Sequence, residues 1–175
     1  DLGAFEFQEA PWPREAASSV VTMLADATDS TDGEISLREA LAYAMLGESG
    51  DTVTFAAGLA GGTVALAGRE LTIHESVTVD APAAGLTIDA VGQSGVLLVT
   101  GGATQATLRD LEITGGHTAR SGGGILNFGS VLLSGCEVHG NTATASGTQS
   151  FGGGIHNSRA AATLVNSSVR DNAAT

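Results

Sequence analysis

From Asp51 onward, apolar and polar residues alternate in short runs. Leu71-Thr72-Ile73 and Val77-Thr78-Val79 each place two apolar side chains on one face and a Thr on the other, the period of a strand. The alternation predicts strands over 52–55, 63–66, 70–73, 77–79, 86–88 and 96–99, with Gly, Pro, Asp or Asn in the turns between them. Ahead of this region the period is different. Leu37, Ala40, Leu41, Ala44 and Met45 fall at i, i+3, i+4, i+7 and i+8, one apolar stripe of a short helix over 36–46. Ser36 and Glu39 form a capping box at its start, and Gly47 is placed to stop it. A strand is predicted over 20–24, followed by a polar turn from Asp26 to Gly33. Residues 1–19 read as irregular: a short alternating strand from Asp1 to Phe7, then an extended Pro11-Trp12-Pro13 linker, with Trp12 expected to dock on the flank of the domain.

The alternating region repeats itself. Gly122-Gly123-Gly124-Ile125-Leu126-Asn127 returns 30 residues later as Gly152-Gly153-Gly154-Ile155-His156-Asn157. Leu108, Leu133 and Leu164 hold equivalent positions, as do Ile113, Val138 and Val169, at spacings of 25 and 31 residues. A recurring theme with a variable period of this size is the mark of a solenoid. Strands this short cannot reach a distant partner, so each is expected to pair with its equivalent in the next coil. The predicted fold is all-β, a right-handed parallel β-helix of about five coils over 51–175, each coil rising about 4.8 Å. Three aliphatic columns should fill it: Leu108 over Leu133 over Leu164, Ile113 over Val138 over Val169, and Ile125 over Ile155. Asn127 over Asn157 and Asn141 over Asn172 should stack as amide ladders, with Asn tolerating left-handed corners. The Gly triplets should let the backbone turn where a Cβ would clash. Residues 20–50 read as an N-terminal cap. Its helix lies across the first coil and covers an otherwise open strand edge, with Arg38 and Glu39 facing solvent.

Composition agrees with a thin core. Gly accounts for 25 of 175 residues, Pro for 3, and aromatics for 4%. Net charge is −12 and the cations are all Arg, so the basic footprint of a nucleic-acid binder is absent. No run of 18 apolar residues is present to span a membrane. Cys136 is the single cysteine, which rules out an internal disulfide; it reads as a small core residue in line with Leu111 and Ser167.

Candidate chemistry is sparse. Asp26, Asp29 and Asp32 recur every third residue before Gly33 and are the candidate metal ligands. Hard oxygen donors on a turn suit calcium, and the plainer reading is a solvated acidic turn beside a helix N-terminus. Asp110 and Glu112 lie two apart and should share a strand face, and the plainer reading of Glu112 and its repeat equivalent Glu137 is two outward, solvated carboxylates beside Arg109 or Arg159. Glu137 aligns with Glu112 one coil on, at a separation matching a retaining glycosidase pair. His139 and His156 are the two histidines expected to approach across coils, without the spacing of a zinc site; His74 and His117 stand apart. No catalytic residue and no cofactor is assigned.

One resemblance covers residues 20–175. Asp29-Ser-Thr-Asp32-Gly33-Glu-Ile-Ser36-Leu37-Arg38-Glu39-Ala40 resembles the CSLREA-type N-terminal module that precedes β-helical repeats in large exported bacterial proteins. The Gly-Gly-Ile repeats at 123–125 and 153–155 resemble those of the chlamydial polymorphic outer-membrane proteins and autotransporter passengers. Ile35 stands where the module has Cys, and Val138 and Val169 stand where the repeat has Phe. Asp1-Leu-Gly-Ala-Phe-Glu6 resembles the segment that closes such a repeat domain, so the chain is expected to be part of a longer tandem array. The resemblance implies a non-catalytic structural or adhesive module, extracellular or at the cell surface of a bacterial outer membrane. Its partners would be a host or environmental surface, a glycan, or neighbouring subunits. A filament or sheath subunit is the first alternative, and a carbohydrate-active β-helix enzyme acting through Glu112 and Glu137 is the second.

Overall fold

The computed structural model describes residues 16–29, 31–47, 51–144 and 151–175. The expected strand at 1–7 and the Pro11-Trp12-Pro13 linker lie outside the described residues. The alternating runs become strands, and the strands wind. β1 (Val20–Val21) precedes α1 (Leu37–Leu46). A first coil holds β2 (Asp51–Phe55), β3 (Thr63–Ala65) and β4 (Leu71–Ile73). The second holds β5 (Val77–Asp80), β6 (Leu86–Asp89) and β7 (Leu97–Val99). In the third are β8 (Gln105–Arg109), β9 (Leu111–Thr114), β10 (His117–Thr118) and β11 (Ile125–Asn127). The fourth repeats that order with β12 (Ser130–Ser134), β13 (Glu137–His139), β14 (Thr142–Ala143) and β15 (Ile155–Asn157). β16 (Ala161–Val165), β17 (Ser168–Arg170) and β18 (Ala173–Ala174) make part of a fifth. The described strands thus make four coils and part of a fifth, against the roughly five expected.

Every strand pairing among the described residues is parallel, from one coil to the next. Three long sheets run the length of the rod, β1-β2-β5-β8-β12-β16, β3-β6-β9-β13-β17 and β4-β7-β11-β15, and a short fourth is β10-β14-β18. This is a parallel β-helix. All three aliphatic columns form as the repeats predict, with Leu133 between Leu108 and Leu164, Val138 between Ile113 and Val169, and Ile125 beside Ile155. Leu108, Ile113, Leu133 and Val138 are each at most 2% exposed. Burying one such side chain contributes about 2 kcal/mol.

The helix plugs the first coil. Leu37, Ala40, Leu41 and Ala44 join one continuous core with Leu71, Ile73 and Val79. Ser36 and Glu39 make the predicted capping box. Arg38 and Glu39 do not face solvent, however. Glu39 is 7% exposed because the capping box turns it inward, and Arg38 folds back over the coil below. The strand at 20–24 shrinks to β1, after which Thr22 and Met23 donate to the Ile35 carbonyl instead of continuing a ladder.

The buried amides carry the polar load between coils. Asn141 is fully buried; its Oδ1 accepts from the Gly116 N–H, and its Nδ2 donates to the carbonyls of Ile113 and His139. Asn172 repeats the arrangement one coil on, accepting from the Asn141 N–H and donating to Val138 and Arg170. Asn127 donates to Asn157 Oδ1 and the Ala161 carbonyl. These four Asn do not occupy left-handed corners. Those corners form their own column, Asp110 over Gly135 over Asn166, each at φ between 48° and 67°. The Gly triplets likewise divide their work. Gly122 takes φ +75°, whereas Gly123 is needed because a Cβ there would lie 2.6 Å from the carbonyl oxygens of Thr142 and Gly153.

Two stability changes follow. Asn141→Ala strands a buried N–H and two carbonyls, and should cost about 3 kcal/mol, seen as a Tm lower by about 10 °C. Val91 is a β-branched residue at φ 53° and is half exposed. Val91→Asn should relieve that conformation and gain about 1 kcal/mol in chemical denaturation.

Candidate functional site

Two outward regions gather polar side chains. The first is on the β6-β9-β13-β17 sheet. Glu112 and Glu137 are register partners, as their alignment predicts, and they line a groove of about 320 Å³ with Thr87 and Asp110. Each carboxylate is already engaged. Glu112 accepts from Thr87 Oγ1 at 2.7 Å and from His139 Nε2 at 2.5 Å. Glu137 is held by Arg170, which also reaches Asp171. The partners are therefore His139 and Arg170, on the coils beyond, and not Arg109 or Arg159. Bonds from the Thr87 hydroxyl and then from His139 hold the Glu112 carboxyl below its ordinary range. Asp110 does not share a strand face with Glu112, because it sits in the left-handed corner between β8 and β9. His139 and His156 do not meet either: His139 is bound to Glu112, and the His156 ring stacks on Phe151 at 5.6 Å. Cys136 is buried as expected, and burial pushes its thiol up, which suits packing better than nucleophilic chemistry.

The three aspartates expected to hold a metal point to separate tasks. Asp26 takes a two-pronged bond from Arg38, at 2.7 and 2.8 Å, and accepts the Ala67 N–H. Asp29 closes a turn onto Thr31, and Asp32 accepts the Glu34 N–H. Among the described residues, no three His, Cys, Asp or Glu side chains gather closely enough to hold a metal ion. The Asp26 pair instead fastens the cap. Arg38 also donates to the carbonyls of Arg69 and Glu70, so one guanidinium ties α1 and the acidic turn to the end of the first coil. Burial alone would push the Asp26 carboxyl up. The Arg38 bond, then the Ala67 N–H and the Arg38 and Arg69 charges, outweigh it and hold the carboxyl below its usual value.

The second region was not legible from spacing. Arg38, Arg69 and Arg120 come from three distant stretches of sequence, yet they line one groove of about 550 Å³ together with Glu70, Gln93 and His117. Glu70 pairs with Arg120 at 2.7 Å. The groove crosses three successive coils on the face formed by the ends of β4 and β7 and by β10. Its lining is polar and open to solvent. Only the resemblance of coil to coil could have placed these residues together, and the loops that carry them differ in length.

No protein-family model, no curated protein and no solved structure matches this chain.

Asp26→Asn should cost about 3 kcal/mol, since it leaves the half-buried Arg38 without its counter-charge. The pH dependence has a definite sign. Asp26 and Glu112 have folded pKa values below their unfolded values. Their stabilisation is thus present above about pH 4 and fades as pH falls further. Tm should drop between pH 5 and pH 3 in the wild type, and less steeply in Asp26→Asn.

Proposed function

We propose that this chain is a non-catalytic β-helix module that presents its lateral faces to a partner surface, in a secreted or surface-exposed bacterial protein. The observation that carries this reading is the state of the acidic ladder. Glycoside hydrolysis needs one carboxyl held protonated and a second poised beside it. Here Glu112 is held ionised by Thr87 and His139, and Glu137 is closed by Arg170. The two carboxylates serve as rungs between coils. What remains available is a long side of stacked, solvent-facing polar residues, which suits binding spread over many contacts. The secreted or surface setting rests on the resemblance of residues 29–40 and of the Gly-Gly-Ile repeats to exported β-helical proteins. No helix among the described residues is long and apolar enough to cross a membrane.

A second reading has its own observation. Leu164 and Val169 in the fifth coil are 41% and 44% exposed, whereas their column partners Leu133 and Val138 are fully buried. A further rung stacked on this end would cover them, supplied either by a continuing repeat of the same chain or by a second subunit, and the second case is the contact a filament would use.

Incubation with a panel of polysaccharides, with co-sedimentation and reducing-end assays run in parallel, tests the first reading. Retention without new reducing ends is expected. Release of oligosaccharides, abolished in Glu112→Gln, would make the protein an enzyme. Sedimentation over a concentration series tests the second reading. A constant mass is expected of the module, and open-ended growth that stops in Val169→Asp would assign assembly instead.

A further inference from the structure

We infer that the groove between Arg69 and Arg120 binds a carboxylate-bearing oligosaccharide. This rests on the non-catalytic binding reading above and gives it a site and a ligand class.

Charge placement is the first argument. The chain carries seven cations against nineteen acidic residues, yet three of the seven line this one groove. Against them stands a single lining carboxylate, Glu70, already paired with Arg120. A local positive field inside an acidic body selects a short anion. A long polyanion such as nucleic acid would have to lie along the acidic surface beyond the groove.

The three arginines are not equivalent. Arg38 is consumed by Asp26 and by two backbone carbonyls, so it contributes rigidity and little net charge. Arg120 is 56% exposed and Glu70 20%, so the pair sits at the groove's surface with the guanidinium open to solvent. A ligand carboxylate can share its guanidinium. Arg69 is exposed, and its guanidinium makes no hydrogen bond to a described residue, although its carbonyl anchors Arg38. It presents a fork of donors matched to a carboxylate.

Neutral groups favour a sugar over an acidic peptide. The Gln93 amide and the His117 ring are exposed and make no hydrogen bonds to described residues. Thr72, Ser94 and Thr118 add hydroxyls to the lining. The lining holds no large apolar side chain to receive a peptide's anchor. Arg69 stands in the first coil, just ahead of β4, and Arg120 in the third, between β10 and β11, so their backbones are two rungs apart, about 10 Å, and the groove that spans them has the length of about two sugar rings.

Calorimetric titration with a trimer of galacturonic acid tests this at low salt, in the wild type, Arg69→Gln and Arg109→Gln. Arg109 is exposed at the end of β8 and does not line the groove. Binding at least tenfold weaker in Arg69→Gln and for the methyl-esterified trimer is expected, with Arg109→Gln unchanged. Equal binding by Arg69→Gln would overturn the site. Equal competition by inorganic sulfate, or a preference for a Glu-rich peptide, would overturn the ligand class. Retention of the wild type by neutral polysaccharide alone, unaffected by Arg69→Gln, would sink this inference and leave the module reading standing. New reducing ends from the trimer would sink the module reading itself.

Discussion

Register between successive coils is the constraint on which the rest of this molecule depends. Each inward side chain lies on its equivalent one coil away, because the parallel ladder leaves no other neighbour. Register offsets along the first sheet are 26, 29, 25 and 31 residues, from Val53 through Val79, Leu108 and Leu133 to Leu164. The coils thus keep phase although their lengths differ. Extra residues are expelled into corners and loops, and the columns remain vertical.

A thin core with few large side chains needs help to hold that phase, and three devices supply it. Buried amides bond upward and downward, so a slipped register would leave Asn141 and Asn172 without partners. Left-handed corners stack on one another, so that Asp110, Gly135 and Asn166 bend the chain at the same place in each coil. The close approach at Gly123 and Gly153 fixes the spacing of the remaining corner. At the N-terminal end, the Arg38 and Asp26 pair binds the helix to the first coil, where an uncovered strand edge would otherwise invite association.

Much of this is legible in the residues alone. A period of 2 locates strands and a period of 3.6 locates the helix, since both are local. The repeat then supplies the long-range information, because equivalent residues must be neighbours in a solenoid. That logic placed all three columns, the Asn ladders and the Glu112–Glu137 pairing. It failed where contact runs between non-equivalent positions. Arg38 to Asp26, and Arg69 beside Arg120, join loops of unequal length, and no period marks them. Asp110 was misplaced because alternation reads straight through a corner. The buried Asn were assigned to left-handed corners, while hydrogen bonding between coils is the need that shapes them; the Gly triplets do serve turns where a Cβ would clash.

The functional reading inherits its strength from the same register. If coils stack as described, the carboxylates of β9 and β13 are rungs and the arginine groove is a built feature spanning three coils. Register can be tested directly by disulfide formation in a Cys136→Ala background. Thr107 and Leu132 face outward and are register partners, whereas Ser134 is two residues out of register with Thr107. Cysteines at 107 and 132 should oxidise to a disulfide nearly completely, since adjacent parallel strands stand within the reach of the bond. Cysteines at 107 and 134 should not. Efficient closure of the second pair, or failure of the first in a folded protein, would contradict the account.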